Sequence, residues 1–178
     1  MITLTVITAT FTVAGALLLA VAGIAHLSHP GRLHAVLTRQ RLFPAWSMKM
    51  VVAGLTVTEL GVAGLVVTTM VVGGPSVVVA ALTQAALFAA LAVYAGLLRL
   101  LAPGVACGCT SGDEPASFVV VASNVAIAVA SAGSALLMNQ DTNAVNAATR
   151  AMIFAAAFAV AVVLPILNNG ARPLQEAR

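Results

Sequence analysis

The chain has 178 residues, 61% of them hydrophobic and only 7% charged, with a formal net charge of +3. A soluble domain is about 45–50% apolar and about 25% charged, and a globule of this size leaves much of its surface in water. Those proportions exclude a soluble domain, a disordered tail, a collagenous chain and a disulfide-stapled miniprotein. With 4% aromatic residues there is little material for base stacking, and the few positive groups make no nucleic-acid footprint. What remains is an integral membrane protein whose first partner is the lipid bilayer.

Five runs approach or reach the roughly 20 apolar residues that a membrane-spanning helix needs: Thr3–Leu27, Ser47–Val72, Ser76–Leu101, Phe118–Met138 and Ala151–Leu167. They are apolar on every face, unlike the alternating strands of a membrane barrel, and a helix satisfies its own backbone in lipid. The sequence therefore predicts an all-α, polytopic membrane protein, a single transmembrane domain over residues 1–170 with a short polar tail at 171–178. No Lys or Arg precedes Arg32, so the basic start of a cleavable signal peptide is missing and the first helix is expected to stay.

Between the first two runs, Leu33, Val36, Leu37 and Phe43 can share one face of a short helix, with Arg32, Arg39 and Arg41 mostly elsewhere. That pattern suits a helix lying in the membrane interface; an ordinary basic loop is the alternative. Gly73-Gly74-Pro75 reads as a tight turn, with Ser76 as a helix N-cap candidate. With five spans, Arg32, Arg39, Arg41, Lys49, Arg99, Arg172 and Arg178 fall on one face and Arg150 on the other. The positive-inside rule makes the rich face cytoplasmic. The excess of arginine, alanine and valine fits a GC-rich bacterial genome, hence a multi-pass protein of a bacterial plasma membrane.

Two cysteines, Cys107 and Cys109, flank Gly108 in the loop after the third span. Glycine lets the backbone bend far enough to join them, and so small a ring is strained and easily reduced. The pair suits transient thiol–disulfide exchange; two inert cysteines in a turn are the alternative. His26, His29 and His34 fall on the same membrane face, but their spacing matches no closed zinc motif, and no metal site is expected. Glu59 lies about ten residues beyond Lys49, about 15 Å along a helix, near mid-bilayer. A charge there costs about 2.5–3.5 kcal/mol, so Glu59 is expected to face the bundle interior. Thr56 and Thr58 adjoin it in sequence but off its face, and His26, Arg99 and Asn124 are the polar residues nearest in depth. Such a group is either a proton or quinone site or a polar clamp. Gln84 lies nearer the opposite face and is a poorer partner, and Gly54, Thr58 and Gly61 form a small-residue face suited to close helix packing.

Gly23-Ile24-Ala25-His26-Leu27, Pro30, Leu37, Leu42-Phe43-Pro44, Thr58-Glu59-Leu60-Gly61 and Cys107-Gly108-Cys109 together resemble the MauE family. These are methylamine-utilisation membrane proteins related to DoxX-like proteins. The resemblance spans roughly residues 10 to 135, which implies a four-helix bundle with a fifth transmembrane helix appended. Two departures stand out. The family usually has a lysine where His26 stands, and it tends to continue with Phe-Gly where Thr110-Ser111-Gly112 follow here. The resemblance implies a redox-associated membrane protein, a possible thiol–disulfide oxidoreductase, acting with a thioredoxin-like partner on disulfides of exported client proteins. Methylamine metabolism itself is not part of that expectation. Such a partner is extracytoplasmic, whereas the charge count puts the cysteine loop inside. Either the charge rule fails here or the protein relays reducing equivalents from within. A non-enzymatic assembly factor with structural cysteines and a small proton-coupled carrier using Glu59 are the competing readings.

Overall fold

The computed structural model describes residues 2–40, 42–108, 116–138, 149 and 152–161. Its helices are α1 (Ile2–Ser28), α2 (Pro30–Gln40), α3 (Met48–Val72), α4 (Ser76–Leu101) and α5 (Phe118–Met138), followed by a shorter apolar helix α6 (Met152–Ala161). Four of them, α1, α3, α4 and α5, are long and apolar enough to cross a membrane. The chain is an all-α, multi-pass membrane protein, with the four long runs where hydropathy places them. The fifth run is helical over Met152–Ala161, about 15 Å of helix; its remainder lies outside the described residues, as does the polar tail.

The long helices pack in a ring, α1 against α3, α3 against α4, α4 against α5 and α5 against α1. The core between them holds Val13, Leu19, Val66, Phe88 and Ile127, and Ile153 and Ala157 of α6 join it. The outer surface is apolar too, with Val57, Val79, Val93 and Val129 each more than half exposed, as lipid requires. Threonine hydroxyls are satisfied within their own helices. Thr10, Thr56 and Thr69 each donate to the carbonyl four residues back, so they sit in apolar surroundings at little cost.

Close approach comes from α1. A Cβ on Gly15 would lie 2.6 Å from both Gln84 Nε2 and Ile127 Cγ2 and 3.1 Å from Phe88 Cε2, and one on Gly23 would lie 2.7 Å from Leu60 Cγ. The small residues expected to pack, Gly54, Thr58 and Gly61, are exposed on the outer face of α3, and nothing stands within 4 Å of where a Cβ would be at either glycine. Spacing alone defines a face but not which way it turns. At the α3–α4 turn Gly73 and Gly74 take φ of 80° and 90°, and Pro75 rather than Ser76 holds the N-cap position.

The basic connection does fold as a helix. Leu33, Val36 and Leu37 of α2 are buried. Leu33 and Leu37 pack on Met48 and Val52, with Phe43 and Tyr94 beside them. The apolar face of α2 thus turns to the end of the bundle, leaving Arg32 and Arg39 exposed. Every Lys and Arg among the described residues lies at this end, on α2, at the start of α3 or in the last turn of α4.

Candidate functional site

Gly15, Phe88 and Ile127 stand at the middle of α1, α4 and α5, and they meet. That point defines a mid-level for the bundle. His26 lies eleven residues farther along α1, about 16 Å toward the basic end. There His26 Nε2 comes within 3.7 Å of Glu59 Oε2, with the side chains buried. Glu59 therefore faces the interior, as expected, at the middle of α3 and opposite the last turn of α1. The last turn of α1 meets the middle of α3 because α3 begins beyond the end of α1, where its first turns pack on α2.

The pair is incompletely bonded. Glu59 Oε2 and His26 Nε2 have no hydrogen-bond partner among the described residues. Thr56, one turn from Glu59, shares its buried face, contrary to expectation, because residues three apart on a helix are neighbours; Thr58 is exposed. Asn124 is buried, and its Nδ2 is also unmatched. It lies one turn from Ile127, and no hydrogen bond joins its Nδ2 to Glu59. Arg99 reaches the right level but is exposed, and its guanidinium carbon stands 5.5 Å from the centre of the Phe118 ring. An arginine in the last turn of α4 reaches the aromatic residue that opens the neighbouring helix more easily than the interior. Of the four residues expected to form one buried polar site, the structure pairs two.

The mid-level is marked instead by Gln84. It is fully buried, and its Nε2 donates to Thr12 O (2.7 Å) and Ser131 Oγ (3.2 Å), tying α4 to α1 and α5.

The cysteine loop folds back into the basic end. Cys107 is 4% exposed and packs with Ala95 and Leu98, with Ala116, Val120 and Val121 around them. Two residues that the sequence did not single out hold it. Gln40, the last residue of α2, donates from Nε2 to Ala106 O (2.6 Å) and Cys107 O (3.3 Å). Tyr94 donates its hydroxyl to Gln40 Oε1 and reaches Cys107 O at 3.5 Å. Gly108 takes φ of 74°, and a Cβ there would stand 3.2 Å from Val36 Cγ1 and 3.3 Å from Leu33 Cδ1. Both the turn and the contact with α2 call for glycine. A buried glutamine ending a helix and the chain's single tyrosine were the available signals. Cys109 lies outside the described residues. Among those described, no three His, Cys, Asp or Glu side chains gather to hold a metal.

No curated protein and no solved structure gives a significant match to this chain. The family model described as methylamine utilisation protein MauE matches residues 4–138, which takes in α1 to α5, the His26–Glu59 pair and the Cys-Gly-Cys loop. The chain belongs to the MauE family of membrane proteins, a family related to methylamine utilisation.

Proposed function

We propose that this protein carries out thiol–disulfide exchange at the membrane, with Cys107 and Cys109 as the working pair and a thioredoxin-like protein as partner in the maturation of exported proteins. The observation that carries the reading is the held loop: Cys107, one residue from a second cysteine in sequence, has its backbone tied to α2 and α4 by Gln40 and Tyr94. Oxidising the two thiols to a disulfide passes two electrons to the partner's disulfide, and the two protons end on the sulfurs of the resulting dithiol. The buried His26–Glu59 pair stands at the same end of the bundle as a proton acceptor. The gathering of Lys and Arg at that end favours a cytoplasmic loop, so the exchange would take place on the inner side of the membrane.

Differential alkylation of thiols in intact cells tests the reading. A mixed population of reduced and oxidised Cys107–Cys109 that shifts with an added oxidant is expected. Cysteines that stay reduced throughout, with full activity in the double Cys107→Ser/Cys109→Ser variant, would leave a non-enzymatic assembly factor. The burial of Cys107 among Ala95 and Leu98 favours that second reading, since a buried thiol behaves as a small apolar side chain.

A further inference from the structure

We infer that the corner where α2 gives way to α3 binds the headgroup of an anionic phospholipid, with Lys49 and Arg39 on its phosphate and Trp46 seated at headgroup level. This is independent of the exchange reading above and uses neither cysteine.

The basic end carries positive charge without a counter-charge. Glu59 is the one acidic side chain among the described residues, and it is buried beside His26. Arg39 and Lys49 are exposed and make no ion pair among the described residues. They border one seam. Leu37 of α2 packs with Met48 of α3; Arg39 follows Leu37 by two residues and Lys49 follows Met48 directly. Because the apolar face of α2 is taken up by the bundle, Arg39 is left on its outer side. The short turn Ala45–Ser47 runs straight into α3, and Trp46, Lys49, Met50, Ala53 and Val57 follow one another at spacings of three and four. They share one side of the helix, and all five are exposed, Trp46 to 77%.

That stripe has the order of a phospholipid. An indole is best placed where its rings meet acyl chains and its N–H stays wet, and Trp46 stands at the outer end. Met50 and Val57 lie farther in, where the acyl chains run. Lys49 stands between them, with a stem that lies along apolar surface while its ammonium stays among the headgroups. The ammonium meets a phosphate as a compact point charge, and the Arg39 guanidinium meets it as a planar fork. In a zwitterionic lipid the phosphate is already balanced by the lipid's own ammonium group. Phosphatidylglycerol keeps its negative charge, so two unpaired cations select it over phosphatidylcholine.

The test uses the full chain in phosphatidylcholine vesicles carrying a small share of lipid brominated on its acyl chains, either phosphatidylglycerol or phosphatidylcholine. Bromine quenches indole fluorescence on contact, and Trp46 is the chain's only tryptophan, so the signal reports this corner alone. Brominated phosphatidylglycerol should quench at about one-tenth the mole fraction that brominated phosphatidylcholine needs. Lys49→Gln and Arg39→Gln should each lower that preference by about threefold, and the double variant should abolish it. Each variant is compared with itself on the two lipids, so a general change in folding spares the ratio. Arg99→Gln is the control. It removes the same charge at the same end, but Arg99 stands over Phe118 of α5, across the ring from α3, and the preference should stay. An equal fall in Arg99→Gln and Lys49→Gln would make the preference a property of the whole basic end and overturn the site. Equal quenching by the two lipids in the unchanged protein would overturn it as well. Quenching by neither would mean that protein, a second copy or another chain, covers Trp46, and that too would overturn it.

Discussion

Two of the buried polar groups in the bundle differ in how their hydrogen-bond donors and acceptors are used. At mid-level, Gln84 gives its amide hydrogens to Thr12 on α1 and Ser131 on α5, so three helices share one satisfied donor, although Gln84 Oε1 has no hydrogen-bond partner among the described residues. Toward the basic end, Glu59 and His26 face each other at 3.7 Å, and Oε2 and Nε2 have no hydrogen bond among the described residues. A polar group buried without its bonds costs free energy. Polar side chains that only fasten helices are expected to look like Gln84. A titratable pair left without hydrogen bonds between α1 and α3 is the arrangement expected of groups that exchange protons.

The comparison breaks most readily at the contact that seats Gln84. Gly15→Val would put a side chain onto Gln84, Ile127 and Phe88, two of them already 2.6 Å from the first added carbon. Overpacking of this kind costs about 1–3 kcal/mol. Thermal unfolding in detergent should fall by several degrees, since 1 kcal/mol is worth about 2–4 °C in a chain of this size. Gly61→Val, on the open face of α3, is the control and should leave the midpoint nearly in place. Next comes Gln84→Leu, which removes the shared donor but keeps the volume. Interhelical hydrogen bonds in membranes average about 0.6 kcal/mol and reach about 2 kcal/mol. A loss in that range with exchange activity intact would mark Gln84 as a fastener. Loss of activity at unchanged stability would erase its contrast with Glu59.

How far the sequence foretold this arrangement differs between the two groups. The long helices and α2 were legible because hydropathy and helical spacing are properties of a segment taken alone. His26 and Glu59 stood out because charge is rare in an apolar run. The level at which they meet was not legible, because it depends on α3 starting beyond the end of α1. Gln40 and Tyr94 were missed for a related reason. The bond from Gln40 to Ala106 closes a separation of 66 residues and that from Tyr94 to Gln40 one of 54, and no local pattern encodes either. Arg99 was assigned inward on depth alone, although depth says nothing of which side of α4 it occupies.

That last difference gives a smaller, sharper test. Arg99 stands over Phe118, and an exposed cation–π contact is worth about 0.5–1 kcal/mol. A double-mutant cycle of Arg99→Gln with Phe118→Leu should show coupling of that size, read from urea or thermal unfolding. The cycle of Arg99→Gln with Glu59→Gln should show none. Coupling in the second cycle would return Arg99 to the buried pair.

The smallest expected effect on stability belongs to Glu59→Gln, and it is the most informative of the set. The variant keeps the shape of the side chain and removes only the capacity to take and release a proton. Glu59 Oε2 makes no hydrogen bond among the described residues that the amide would lose. Unfolding should therefore change by no more than about 0.5 kcal/mol, the ordinary range for a substitution that breaks no contact. Exchange with oxidised thioredoxin should slow nonetheless, because the protons passing from the two thiols to the partner's sulfurs lose a carrier. His26→Asn, which also removes a titratable ring, should slow it in the same direction, and the double variant should be no slower than the slower single one, as expected for residues acting as a unit. A midpoint lowered by Glu59→Gln as much as by Gln84→Leu, with exchange at the wild-type rate, would make the pair a second fastener and dissolve the distinction between the two ends.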